Sequence, residues 1–244
     1  VLEFVAVEVG LGRPMSCERC AGVDVASYRP ASEIASAISR VAEGWSTGPG
    51  PNVLLTGPEP FAHPELPALV AACVSVGVQR VALETDGAAL SAFGNAAGVL
   101  RAGVRHLRVR LNATEHGVDG PPDRTADALA GAALYLAAAA EAGVTVAVTA
   151  VLEVCAHTVA SLSALVVQLA PLGFSAVRLE SAGSLPPSAT VLIAAACDTG
   201  MVNGLWVEVD PALPLPPSHV LHAVESPVRA SQADTEVSGG ETLG

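Results

Sequence analysis

Cys17 and Cys20 stand in the run Arg13-Pro14-Met15-Ser16-Cys17-Glu18-Arg19-Cys20, just past an apolar stretch over residues 1–11. A Cys-x-x-Cys pair offers two thiolates to a soft metal, or a dithiol to redox chemistry. Neither a zinc centre nor an iron–sulfur centre is complete with two, so further donors are needed. Cys155 is a candidate third thiolate, and His63 and His157 are candidate nitrogens. The plainer alternative is a pair of free thiols. His63, next to Pro64, also reads as a residue that starts a helix, and Cys73 and Cys197 fall on apolar helical stretches as core. Glu59 sits between Pro58 and Pro60, either exposed at a strand end or capping the next helix. Glu153 and Glu180 form a candidate acid/base pair, against the commoner case of solvated carboxylates. No Ser/His/Asp arrangement and no glycine-rich phosphate cradle accompanies them.

Strand and helix patterns that alternate along the chain must position these groups. Apolar runs at residues 1–11, 53–56, 80–85, 106–112, 145–152, 175–180 and 205–209 predict strands. Between them, Ser32 is placed to cap a helix with Ile34, Ile38, Val41 and Trp45 on one face. A second helix is expected from His63-Pro64, with Leu66, Leu69, Val70 and Cys73 inward, and a third over residues 88–102. Thr125 and Thr158 are expected to cap the next two, and residues 189–196 form the last. Short, near-continuously apolar strands joined by helices predict a parallel sheet covered on both faces, wound right-handed into a partial (β/α)6 barrel with one extra strand. No Gly-x-Gly-x-x-Gly follows a strand, which disfavours a dinucleotide fold. Residues 1–210 make this core. Residues 211–244 are Pro-rich, then polar and acidic, and are expected to be disordered.

The 244 residues are 51% hydrophobic and 15% charged, with a mean hydropathy of +0.49, enough for one large core. A net charge of −12, with Arg the only basic type besides His, argues against nucleic acid, since phosphate binding needs clustered basic side chains. It gives no reason to invoke an anionic membrane either, and no apolar stretch has the length of a spanning helix. Five scattered cysteines and the lack of a signal-peptide pattern lead to the expectation of a cytoplasmic protein.

Three strand ends together carry a family resemblance. Gly57-Pro58-Glu59-Pro60 resembles the Gly-Gly-Glu-Pro segment that radical SAM enzymes carry after their second strand. Thr85-Asp86-Gly87 resembles the Thr-Asn-Gly after their third, and Cys17-x-x-Cys20 resembles the last two cysteines of their Cys-x-x-x-Cys-x-x-Cys motif. The resemblance covers roughly residues 1–200. It implies a partial parallel barrel, a 4Fe–4S cluster on three cysteines, and S-adenosylmethionine bound at the open iron. It further implies that Gly57, Pro58, Glu59 and Pro60 receive the amino group of that cofactor, with Thr85 beside them. The fourth strand would meet the ribose, and the fifth and sixth would flank the adenine.

The sequence departs from that pattern at decisive places. Arg13 stands where the first motif cysteine would be, and a guanidinium donates only. Pro58 replaces a glycine, and Arg108, Arg110 and Asn112 occupy the fourth strand. The first expectation is therefore a degenerate radical SAM-fold protein. It would be a non-catalytic partner of a cluster-complete radical SAM subunit, or would hold a peptide substrate for one. Two alternatives stay open: an active enzyme with a non-standard third ligand such as Cys155, or an unrelated α/β-barrel or zinc protein.

Overall fold

The computed structural model describes residues 4–11, 27–46, 48–91, 95–111 and 125–215. Arg13, Cys17, Cys20, Asn112 and the tail from residue 216 lie outside them. Nine strands are described: β1 Val5–Glu8, β2 Gly10–Leu11, β3 Ser27–Tyr28, β4 Asn52–Thr56, β5 Arg80–Thr85, β6 His106–Leu111, β7 Ala147–Val154, β8 Ala176–Ser181 and β9 Trp206–Val209. Six helices connect them: α1 Ala31–Glu43, α2 Leu66–Ser75, α3 Asn95–Ala102, α4 Thr125–Glu141, α5 Leu162–Leu169 and α6 Ala189–Val202. Seven strands form one sheet in the order β1-β4-β5-β6-β7-β8-β9, every neighbouring pair parallel. Spatial order that follows chain order, with a helix in each crossover, is what right-handed β/α units produce when they wind in one direction. The sheet curls into a half-barrel, as the alternation of elements predicts.

Period-2 alternation divides the sheet into two unlike faces. Val53 and Leu55, Val81 and Leu83, Leu107 and Val109, Val148 and Leu152, and Val177 and Leu179 point outward and meet the helices in one continuous core. Each helix contributes an apolar stripe to it. In α1 this stripe is Ile34, Ala37 and Ile38, at the i, i+3, i+4 spacing of one helical face. Fully burying each isoleucine contributes about 1.5–3 kcal/mol. In α2 it is Leu66, Leu69, Val70 and Cys73, and burial pushes the Cys73 thiol up to about 12, so it is an inert core group as expected. Cys197 is likewise buried in α6.

The inner face differs from the expectation of strands apolar on both sides. It carries Glu84, Arg108, Arg110, Glu153, Arg178 and Glu180, all in strands, beside a small apolar cluster of Phe4, Leu54 and Ala82. Several boundaries also shift. Ser32 lies inside the first turn of α1 rather than capping it, and the Pro30 carbonyl accepts the first helical N–H bonds. The second helix starts at Leu66 after a 3-10 turn over Pro60–Ala62. The third divides into a 3-10 turn over Ala88–Ser91 and α3. Thr158 does not cap α5. Its hydroxyl donates to the Glu153 carbonyl at 2.6 Å and accepts from the Cys155 N–H at 2.9 Å, tying down the turn after β7.

Candidate site at the strand ends of the half-barrel

The segment 12–26 that holds both motif cysteines is bounded by β2 and β3, which pair antiparallel with Gly10 opposite Tyr28. This two-residue ribbon is seated directly against the loop after β4. The Tyr28 hydroxyl donates to the Glu59 carbonyl at 3.0 Å. Gly10 packs so tightly there that a Cβ would stand 2.8 Å from the Pro58 side chain and closer still to the Ser27 carbonyl. Gly57 has φ +111°, a backbone conformation that side chains rarely adopt, and its own Cβ would come 3.1 Å from the Gly10 carbonyl. The stem of the cysteine segment and the Gly57–Pro60 loop are therefore one packed unit.

Glu59 is part-buried rather than exposed. Its Oε1 accepts from the Phe61 N–H at 3.1 Å, which caps the 3-10 turn, so the capping role is real. Its Oε2 accepts from the Thr85 hydroxyl at 2.8 Å and from the Asp86 N–H at 2.9 Å. The carboxylate thus cross-links the loop after β4 to the end of β5. Burial, then the neighbouring Asp86 carboxylate, push Glu59 up to about 7, against those three donors. Thr85 is fully buried and in turn accepts from the Gly87 N–H at 3.0 Å. Gly87, at φ +79°, is held under α4: a Cβ there would stand 2.8 Å from the Ala128 Cα. His63 spends both ring nitrogens on the backbone, one within 3.0 Å of the Arg29 carbonyl and the other accepting from the Glu65 N–H. It is 4% exposed and packs edge-on against Tyr28, so it is a structural residue beside the turn.

Beneath this rim, Arg110 on β6 anchors a buried ionic net that the sequence did not reveal. Its Nε donates to Glu84 at 3.0 Å, Nη1 to Glu153 at 3.3 Å and Nη2 to Glu180 at 3.0 Å, and Nη2 also stands 2.9 Å from the Glu84 carboxylate as an ion pair. Arg178 extends the net from Glu180 at 2.8 Å to Glu208 at 3.2 Å, and Thr56 donates to Glu84 at 2.8 Å. Burial opposes the charge of Arg110, but Glu84, Glu180 and Glu153 outweigh it and hold the guanidinium firmly protonated. Burial likewise pushes Glu180 up, and Arg110 with Arg178 more than reverse it, leaving its pKa below the usual range. Glu153 and Glu180 are therefore neither solvated rim groups nor a free acid/base pair. They are counter-ions. The signal was present in the alternation His106-Leu107-Arg108-Val109-Arg110, which puts every charge on one strand face.

No family model matches the chain, and no curated protein matches it in sequence. Among solved structures it is similar to SuiB of Streptococcus suis bound to precursor peptide SuiA, with a TM-score of 0.63 and 10% identity over 86% of this chain and 49% of that one. SuiB bound to S-adenosylmethionine gives 0.62 and 10% over 90% and 52%. Native anSMEcpe with bound AdoMet gives 0.50 and 12% over 75% and 52%. The chain has a radical SAM-like half-barrel fold. It spans about half the length of the solved chains it matches.

The donor set of this radical SAM-like half-barrel does not fit a three-thiolate cluster. Arg13 cannot ligate iron, and Cys17 and Cys20 supply two thiolates. Cys155 is 3% exposed and is held in the turn after β7, where the Thr158 hydroxyl lies 3.7 Å from its sulfur. His157 is exposed. Among the described residues no three His, Cys, Asp or Glu side chains converge as a metal site, and none of the described helices is long and apolar enough to cross a membrane.

Proposed function

We propose that this chain is a non-catalytic radical SAM-fold protein that holds a peptide substrate for, or pairs with, a cluster-complete radical SAM subunit in peptide modification. The observation that carries the reading is a half-barrel of this kind with a guanidinium, Arg13, in the place of the first cluster thiolate. Two further features support it. The floor of the strand ends is filled by the Arg110 net, and opening that net to admit a ligand would strand buried charges at a cost of about 3–5 kcal/mol. Binding therefore belongs at the rim above it. There Glu59, with Asp86 beside it, suits an ammonium group, which a peptide N-terminus and S-adenosylmethionine both carry. One of the solved structures similar in fold is recorded with a precursor peptide bound, which fits a peptide-holding role here.

Anaerobic iron–sulfur reconstitution of the isolated chain tests the reading. The expected result is substoichiometric iron and no cleavage of S-adenosylmethionine, together with a cysteine-complete chain in co-purification from the native source. About four irons per chain with cofactor cleavage would overturn it. A cluster present in the wild type and lost in Cys155→Ala would establish the rival reading, an active enzyme with a non-standard ligand.

A further inference from the structure

The opposite end of the inner face has the reverse electrostatic character. Arg80 at the start of β5 shares a strand face with Ala82, and Ala82 is in register with His106 at the start of β6. His106 shares its face with Arg108, one step deeper. The three form a graded path, from exposed Arg80 through half-buried His106 to Arg108 at 7% exposure. In a chain of net charge −12 these basic groups act on one another: burial, then Arg80, then Arg108 lower the pKa of His106.

Arg108 is the unusual member. Its guanidinium lies 5.4 Å from the Phe4 ring centroid, and the edge of that ring arrangement is completed by His106 at 5.4 Å. Among the described residues no carboxylate forms an ion pair with it and no acceptor takes a hydrogen bond from its five N–H groups. Glu208, Glu84 and Glu180 act on it through space, but these carboxylates are bonded to Arg110 and Arg178 instead. Burial and then Arg178 outweigh their support and lower the pKa of Arg108. A guanidinium over an aromatic ring, with no protein acceptor on its nitrogens and yet not among the fully buried unpartnered atoms, keeps its donor fork open to solvent, where a planar anion can take it. On one side of Arg108 the sheet carries small residues, Thr149 in register on β7 and Ala176 beyond it on β8; on the other side Glu84 is in register on β5, its carboxylate taken by Arg110 and Thr56.

We propose that Arg108, with His106 and Arg80 along the approach, is a binding site for a single carboxylate entering from the N-terminal ends of the strands, opposite the rim. A carboxylate matches the guanidinium fork with one negative charge, whereas a dianion would meet Glu84, Glu180 and Glu208. The carboxylate can come from a small organic acid or from the C-terminus of a peptide. The site is independent of the cluster and of the reading of the rim.

Calorimetric titration of the full chain with benzoate, and with a short peptide carrying either a free C-terminal carboxylate or its amide, tests this. Benzoate binding is expected, weakened about tenfold or more by Arg108→Gln and a few-fold by Arg80→Gln, the scale of a hydrogen bond to a charged group and of a partly exposed charge. In the wild type, NMR titration of the His106 ring gives a second readout that needs no substitution. A bound anion must raise its pKa by offsetting Arg108. Stronger binding of the free-acid peptide than of benzoate, with none for its amide, identifies a peptide terminus as the source. Equal binding by benzoate identifies a small acid. No binding of either, an unmoved His106, or Arg108→Gln binding as tightly as the wild type would each overturn the proposal.

Discussion

Replacing Arg110 by Met is the sharpest test of the net that fills the inner face. The substitution keeps an unbranched stem out to about the position of Nε and removes the guanidinium with its charge and its donors. It leaves Glu84, Glu153 and Glu180, which now approach the guanidinium at 2.9, 3.3 and 3.0 Å, facing one another without it. Arg110 and Glu153 are both 7% exposed and Glu84 is 5% exposed at the side chain, so solvent cannot take over the cation's role. Removing one partner of a buried ionic group costs about 3–5 kcal/mol because the remaining charge is stranded. Against a total stability of about 5–15 kcal/mol, that is a loss readily seen in urea unfolding at neutral pH. The stranded carboxylates would also take up protons, so the variant should recover part of its stability as pH falls through the weakly acidic range. In the wild type the net itself acts in the opposite sense, and at lower pH. Glu180 titrates below its ordinary range in the folded state, so its contribution is complete above the unfolded pKa and disappears as pH falls through the folded one. A second variant, Arg110→Met with Glu84→Gln, should be less damaged than Arg110→Met alone. A loss under about 1 kcal/mol at neutral pH, the scale of an exposed pair, would refute the argument that this net is buried and interdependent.

Glu59 carries the opposite pH signature. Its folded pKa of about 7 lies above the reference value of 4.5, so the folded state holds a proton that the unfolded chain has lost between those values. Wild-type stability should therefore fall as pH rises from about 4.5 to 7, and Glu59→Gln should flatten that slope when urea midpoints are compared across the range. Gly87→Ala should lower stability by about 1–3 kcal/mol in thermal unfolding, since its φ of +79° and the 2.8 Å approach to the Ala128 Cα both oppose a side chain.

The order and spacing of the elements were readable because each relies on local signals. Apolar runs bounded by Gly and Pro give the seven sheet strands, and Ile34 with Ile38, or Leu66 with Leu69 and Val70, give helix faces. What failed was capping at Ser32, where the helix already opens at Ala31 behind Pro30, and at Thr158, whose hydroxyl competes among several backbone partners and the tertiary turn decides which it takes. The link of Glu59 to Thr85 and Asp86 spans residues far apart in the chain, so proximity of the motifs was foreseeable only through the resemblance. The Arg110 net was legible in principle. Charges at alternate positions in residues 106–111, and again at 178 and 180, mark one strand face as polar, but an expectation of strands covered on both sides hid it.

The small β2–β3 ribbon bears on what the segment it closes can carry. It holds the two ends of residues 12–26 at strand-pair distance by contacts that belong to Gly10, Tyr28, Pro58 and Glu59, not to the segment itself. The entropy of closing the segment is thus met by its stem, and altering the length between the ends costs only about 0.6 kcal/mol per doubling. None of these stem contacts depends on which residues the segment between them carries. Arg13→Cys is then the single substitution that would ask whether the scaffold accepts a third thiolate in this segment.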